Sequence, residues 1–271
     1  MFRKRINELD ARNYWDELSD EYNRITRISF ADFHYGPQIP GEKSLKILPK
    51  QPRGSRALEL GCGEAHNSIW LANRRGYRCG AFDISFAQVA KARKNVVYHD
   101  ANVRVFQASF LTFRYAYDEG ACYDLIHSSH AMEFAENPKK VLADMVYMLK
   151  PGGWMMISTV HPLFNGAWVD MEDLDNSLEP GVTTAGLFLP DYFEPPDDVR
   201  TDNGVTVISR AYSISTWFKW FRNLGLSVED LREPPAVLRA PYTSDDWEEA
   251  AAGHLSSIPS TVIFLCRKPE N

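Results

Sequence analysis

Between residues 56 and 160, short apolar runs alternate with segments of helical period, and this alternation restricts the fold more than any other feature of the chain. Residues 57–60, 77–84, 103–108, 123–128 and 154–160 read as five buried strands. The segments between them carry helix punctuation. A helix from about Asn67 ends at Gly76, a residue suited to a left-handed cap. Ser85 and Gln88 have the spacing of a capping box for a helix through about Asn95. Asn137 as N-cap and Pro138 at the first helical position open a third helix, whose apolar face holds Val141, Leu142, Met145 and Leu149. Pro151, Gly152 and Gly153 end it. Strands and helices in alternation require crossover connections, which are right-handed, so the expected core is an α/β fold: a Rossmann-like, doubly wound, mostly parallel sheet covered on both faces.

The rest of the chain is organised differently. Residues 162–210 are rich in Pro, Gly and Asp and carry Phe164, Trp168, Phe188, Tyr192 and Phe193. A connection that long is uncommon unless functional, and it is assigned here to a cap over the site. Residues 213–224 return to helix, with Trp217, Phe218, Trp220 and Phe221 read as core and interface, and residues 227–231 and 261–267 read as the last two strands. At the amino end, Tyr14, Trp15, Leu18 and Tyr22 recur at helical spacing. The expected organisation is an N-terminal helical lid over residues 1–50, then a catalytic domain over 51–271 with the cap inserted at about 162–210.

The composition narrows the partners. Thirty Lys and Arg against 36 Asp and Glu leave a net charge of -6, so nothing draws the chain as a whole towards a phosphate backbone, and nucleic acid is disfavoured. The four cysteines form no close pair and no metal-like spacing, which suits reduced thiols in the cytoplasm. Acidic runs at 170–175 and 245–249 read as solvated faces, so no metal is expected. No stretch has the length of a signal peptide or a membrane span.

The densest chemical signal is Leu58-Glu59-Leu60-Gly61-Cys62-Gly63-Glu64-Ala65, a strand running into a glycine turn and then a helix. Glycines at 61 and 63 let a ligand lie against the main chain. A dinucleotide would want a third small residue where His66 stands, and Glu64 would sit beside its pyrophosphate. A ligand carrying a sulfonium and an ammonium fits such acids instead, and Asp83, at the carboxyl end of the second strand, can accept from both hydroxyls of a ribose.

These residues resemble the class I S-adenosylmethionine-dependent methyltransferases, particularly bacterial small-molecule enzymes. The likeness runs through Tyr35-Gly36-Pro37, residues 58–63, Asn67-Ser68, Phe82-Asp83-Ile84-Ser85, Tyr123-Asp124-Leu125-Ile126, Leu149-Lys150-Pro151-Gly152-Gly153 and His161-Pro162. It implies a seven-stranded sheet in the order 3-2-1-4-5-7-6 with the last strand antiparallel. It also implies S-adenosylmethionine as cofactor, S-adenosylhomocysteine as product, and a small-molecule acceptor methylated on oxygen or nitrogen, with secondary metabolism one setting for such a reaction.

Carried over residue by residue, the cofactor contacts fall on Tyr35, Glu59, Gly61, Cys62, Gly63, Asn67, Ser68, Asp83, Ile84, Ser109, Phe110 and Ser128. Ala65 replaces a later glycine of the pattern, and Ser109 stands where an acid often meets the adenine amine. Ligands of open α/β sheets bind beyond the carboxyl ends of the strands, which makes His161 the first candidate for a base, then His130 and Glu133. Tyr14, Trp15, Tyr22, His161, Phe164 and Tyr192 are the expected substrate and lid contacts. The chain is expected to act as a monomer or homodimer. Two other readings stay open: non-methylating chemistry in the same pocket, and a non-catalytic regulatory subunit.

Overall fold

The computed structural model describes residues 4–116, 120–164, 167–170, 185–245 and 257–270. The acidic stretches at 171–175 and 246–249 and the side chain of Trp168 lie outside them.

Two helices open the chain, α1 (Glu8–Glu17) and α2 (Ser19–Ile25), followed by β1 (Thr26–Ile28) and a short α3 (Glu42–Leu45). The alternating core comprises β2 (Arg56–Leu60), α4 (His66–Trp70), β3 (Arg78–Asp83), α5 (Phe86–Tyr98), β4 (Val103–Gln107), α6 (Phe113–Ala116), β5 (Tyr123–Ser129), α7 (Pro138–Met148) and β6 (Leu149–Val160). Beyond it come β7 (Ala167–Asp170), β8 (Ala185–Phe188), β9 (Asp198–Asp202), β10 (Val205–Ser209), α8 (Ile214–Asn223), β11 (Ser227–Arg232), β12 (Tyr242–Ser244) and β13 (Thr261–Arg267).

Seven strands form the central sheet in the order β11-β13-β6-β5-β2-β3-β4. Counted from β2 and read from the β4 edge, this is 3-2-1-4-5-7-6, as the resemblance implies. β13 runs antiparallel to both of its neighbours, while β2 to β6 pair in parallel. Successive residues of each central strand bury into opposite cores, as the period of two demands. On β2, Ala57 packs with Trp70, Leu71 and Met156 on one face, while Leu58 and Leu60 pack with Leu142, Met145 and Phe264 on the other. Trp217 and Phe221 of α8 are fully buried in this second core, whereas Phe218 is exposed.

The caps form where the sequence places them: the Ser85 hydroxyl accepts from the Gln88 N–H at 3.1 Å, and the Asn137 side chain accepts from the Lys140 N–H at 3.2 Å. Gly76 is left-handed at φ +73°, but the turn before it, Leu71–Arg75, is π-helical rather than α-helical.

Among its described residues the cap segment is partly regular, with two antiparallel pairings, β7 with β8 and β9 with β10. The second hairpin turns at Asn203-Gly204, with φ of +48° and +80°, a pair suited to a tight turn with both central residues left-handed. The amino-terminal segment is not purely helical either, since β1 pairs with β12 across more than 200 residues of sequence.

Candidate active site

A cavity of about 790 Å³ opens beyond the carboxyl ends of β2 to β5, within the range of small-molecule sites, about 300–1,000 Å³. The loop after β2 forms its floor. Gly61 is left-handed at φ +68°, and a Cβ there would stand 2.3 Å from the Cβ of Ala131 in the loop after β5. Gly63, at φ +50°, donates its N–H to Asp83 Oδ2 at 2.8 Å, and the other carboxylate oxygen accepts from the Ser85 N–H at 3.0 Å. The glycine turn and the acid therefore share one cleft. Burial pushes the Asp83 carboxyl upward, against the N–H groups of Ser85, Gly63 and Ile84.

Glu59 joins the strand to the helix that follows: its Oε2 accepts from the Ser68 hydroxyl at 2.6 Å and the Ser68 N–H at 3.0 Å. Burial outweighs these bonds and raises its pKa to about 8, with Asp83 adding to the rise. Glu59, Gly61, Cys62, Gly63, Asp83, Ile84 and Phe110 all line the cavity.

The other five residues assigned to the cofactor support this wall from outside the lining. Asn67, fully buried, clamps the main chain of His34, accepting from its N–H at 2.9 Å and donating to its carbonyl at 3.0 Å. Ser68 serves Glu59. The Tyr35 hydroxyl donates to Glu42 at 2.6 Å inside the core, and the Ser128 hydroxyl donates to the Leu60 carbonyl at 2.9 Å. Ser109 pairs with the Thr112 hydroxyl at 3.0 Å.

Opposite the sheet, the wall comes from α1, α2, β12 and the β9–β10 hairpin. Trp15 stands edge-on to Tyr14, Tyr22 and Phe134, with ring centroids 5.3, 5.4 and 5.6 Å apart. The Tyr14 hydroxyl donates to Asp202 at 2.7 Å, and the Tyr22 and Tyr242 hydroxyls bond each other. The Arg200 guanidinium lies 5.7 Å above the Phe134 ring. Phe164 and Tyr192, the other aromatics expected here, do not line the cavity.

The histidines also rearrange. His161 is not in the lining: its Nε2 pairs with Glu233 at 2.7 Å and its Nδ1 accepts from the Leu163 N–H at 3.1 Å, so both ring nitrogens are engaged. β6 lies on the β13 side of β5, one strand further from the glycine turn, and His161 just past its end meets Glu233, which follows β11. His130 does line the cavity, left-handed at φ +52°, with Nε2 2.9 Å from the Thr261 hydroxyl and Nδ1 3.3 Å from Glu133. Glu133 in turn accepts from the Thr159 hydroxyl at 3.0 Å.

His34 was not singled out by the sequence, and it too faces the cavity. Its ring is edge-on to Tyr242 at 5.2 Å, and its Nδ1 has no partner among the described residues. Burial, reinforced by His66, His130 and His127, holds it well below the ordinary histidine value, so it is neutral at pH 7. The one signal for it was adjacency to Tyr35-Gly36-Pro37.

Charge sets the chemistry of the ligand. Among the described residues, Glu8, Glu21, Glu59, Glu64, Asp83, Glu133 and Asp202 line the cavity against Arg27 and Arg200 only. Both arginines are paired, with Asp245 and Asp198, each at 2.9 Å. Such a lining favours a cation and opposes a phosphate. Among the described residues no cluster of three or more His, Cys, Asp or Glu is arranged to hold a metal, and no helix is long and apolar enough to cross a membrane.

The chain is similar to known proteins in sequence and in fold. The chain is 24% identical over 219 residues to malonyl-[acyl-carrier protein] O-methyltransferase of Marinomonas sp. (strain MWYL1), an alignment covering 78% of this chain and 74% of that protein. It is 30% identical over 137 residues to the S-adenosyl-L-methionine-dependent Diels-Alderase iccD of Talaromyces variabilis, covering 44% of this chain and 46% of that one. The solved structure of an S-adenosylmethionine dependent methyltransferase from Mesorhizobium loti superposes with a TM-score of 0.60 at 20% identity, covering 82% of this chain and 94% of the other. Residues 33–231 match the profile of the methyltransferase-domain family, and the chain belongs to that family.

Proposed function

We propose that the chain transfers a methyl group from S-adenosylmethionine to an oxygen or nitrogen atom of a small organic acceptor. The observation that carries this reading is the single cleft shared by Gly61, Gly63 and Asp83 under an excess of carboxylates. Bound S-adenosylmethionine supplies an electrophilic methyl on a sulfonium, which leaves as a neutral thioether when the acceptor's lone pair takes the carbon.

The chain's residues do the rest. The main chain from Gly61 to Gly63 holds the amino-acid end, and Asp83 accepts from the ribose hydroxyls. Tyr14, Trp15, Tyr22 and Phe134 exclude water and hold the acceptor in line, which can supply most of the catalysis in a displacement of this kind. Where the acceptor must lose a proton, His34 takes it, because it stands in the lining and its Nδ1 is uncommitted among the described residues. His130 and Glu133, already bonded to each other and to Thr261 and Thr159, orient the acceptor.

Calorimetry with S-adenosylhomocysteine tests the cofactor half of the proposal: one site per chain is expected, and the absence of any binding ends it. Methyl-labelled S-adenosylmethionine offered with a malonyl thioester and with phenolic acids tests the transfer. His34→Gln should then lower turnover by about 10²-fold or more while S-adenosylhomocysteine affinity stays within about threefold. Unchanged turnover on a proton-losing acceptor removes His34 from the mechanism. The Talaromyces relative favours one second reading, a cyclisation in the same cleft. An acceptor that is rearranged but unlabelled would establish it.

A further inference from the structure

Asn7 caps α1 by accepting from the Leu9 N–H at 3.0 Å, and Glu8, the first residue of the helix, turns into the cavity. Glu8 is more than nine-tenths buried, and its Oε1 has no hydrogen-bond partner among the described residues. Leaving a buried carboxylate oxygen unpaired is costly, so an orphan of this kind in the wall of a cavity points to a donor brought by a ligand. Burial raises the Glu8 pKa, with Glu136 adding to the rise, against the Ser109 hydroxyl and Leu111 N–H at the exit of β4 and Lys140 at the start of α7.

The part of the ligand that meets Glu8 follows from the neighbouring lining, given the cofactor reading above, on which this step rests. With the ribose at Asp83, the base continues along Ile84, Ala108 and Phe110, the apolar strip beyond β3 and β4. An adenine has apolar faces and a polar edge, so its faces suit that strip and its edge needs a partner. Ser109 does not line the cavity, and its hydroxyl pairs with Thr112. We propose that Glu8 reads the adenine edge, its Oε1 accepting a hydrogen bond from the exocyclic 6-amino group.

The same helix is fastened at its other end beside the ribose acid. Asp16 accepts from the Ser85 hydroxyl at 2.6 Å and the Ala87 N–H at 3.0 Å. α1 therefore runs from the loop after Asp83 to the base edge, and the amino-terminal cover is itself part of the cofactor site.

Calorimetry on the wild-type chain, Glu8→Ala and Glu8→Gln tests this with two ligands, S-adenosylhomocysteine and S-inosylhomocysteine, whose 6-oxo group places an acceptor where the amine was. The wild type should prefer the adenine ligand by on the order of tenfold to a hundredfold. Glu8→Ala should reduce that preference to about threefold or less. Glu8→Gln, whose amide can also donate, should favour the inosine ligand relative to the adenine ligand more than the wild type does. Each ratio is taken within one variant, so a general loosening of α1 cancels. A wild-type ratio retained in Glu8→Ala overturns the role of Glu8 and leaves the cofactor reading standing. A wild type that binds neither ligand overturns both.

Discussion

The two walls of the cavity are built by different means. The sheet wall comes from strand-end loops between Glu59 and Phe134, each fixed by main-chain hydrogen bonds such as Cys62 N–H to Phe82 carbonyl at 2.9 Å and Ala108 N–H to Asp83 carbonyl at 3.0 Å. The facing wall joins segments nearly 200 residues or more apart, through side-chain bonds such as Tyr14 to Asp202 and Tyr22 to Tyr242, and through the short β1–β12 ladder. A wall made from consecutive strand ends has its geometry set by the backbone. A wall made by distant side chains depends on the whole chain having closed, so substitutions in the two should fail differently.

The largest effect is expected where the backbone itself is the site. In Gly61→Ala the new Cβ meets Ala131 at 2.3 Å and the residue is held left-handed. Left-handed strain of about 1–2 kcal/mol and overpacking of about 1–3 kcal/mol should both act, and S-adenosylhomocysteine affinity should fall by on the order of a hundredfold. Gly54→Ala is the control: it is also left-handed, at φ +87°, but a Cβ there meets nothing within 4 Å. It should cost about 1 kcal/mol of stability and leave binding alone. Calorimetry and thermal melts on the pair separate strain from access. Equal losses of affinity in both variants would contradict the idea of a bare main-chain cradle.

The same contrast explains what could be read from the sequence. The alternation of strands and helices, the caps at Ser85 and Asn137, and the glycine turn follow from local signals, the strand order from the family resemblance, and each stands where expected. Errors in the sheet wall are errors of direction. Ser129 lines the cavity while Ser128, its neighbour on β5, points the other way, as alternation requires. His66 lines it while Asn67 and Ser68, a fraction of a helical turn on, face the interior. The facing wall was largely illegible. Tyr14, Trp15 and Tyr22 show an amphipathic helix that needs something to cover, but no spacing ties them to residues 200–202 or to Tyr242. The Asn203-Gly204 turn was the missed clue to the β9–β10 hairpin, and Glu8 and His34 carry no motif at all.

A smaller, graded effect tests the electrostatics of the sheet wall. Glu59 ionises near 4.5 when unfolded and at about 8 when folded, so between those values the native chain holds a proton that the unfolded chain has lost. Stability from this group is full below 4.5 and is lost as the pH rises through 8. The ligand-free melting temperature should therefore decline from pH 5 to pH 8, and Glu59→Gln should flatten that slope. The ammonium group of S-adenosylhomocysteine is best met by the charged form, so its binding should tighten with rising pH over the upper part of this window, by up to about tenfold per pH unit, with proton release detectable in buffers of different ionisation enthalpy. Affinity that is level from pH 6 to pH 8 would separate Glu59 from the ligand's charge.

The smallest effect belongs to the facing wall. Tyr14→Phe removes one bond, from the hydroxyl to Asp202, and keeps the ring against Trp15. A hydrogen bond of this kind contributes about 1 kcal/mol, more when the acceptor is charged. Because β9 and β10, among the described residues, pair only with each other, while α1 is fastened independently at Asp16, the loss should appear as local opening of the hairpin. Amide exchange over residues 198–209 should quicken about fivefold, with exchange in β2 to β5 and affinity for S-adenosylhomocysteine unchanged. Should exchange quicken equally in both walls, the cavity would be one cooperative unit and the division between a backbone-built wall and a side-chain-built one would be lost. Quickening confined to the hairpin makes β9 and β10 the part of the facing wall that yields first, and therefore the part through which an acceptor can enter while α1 and the cofactor stay held.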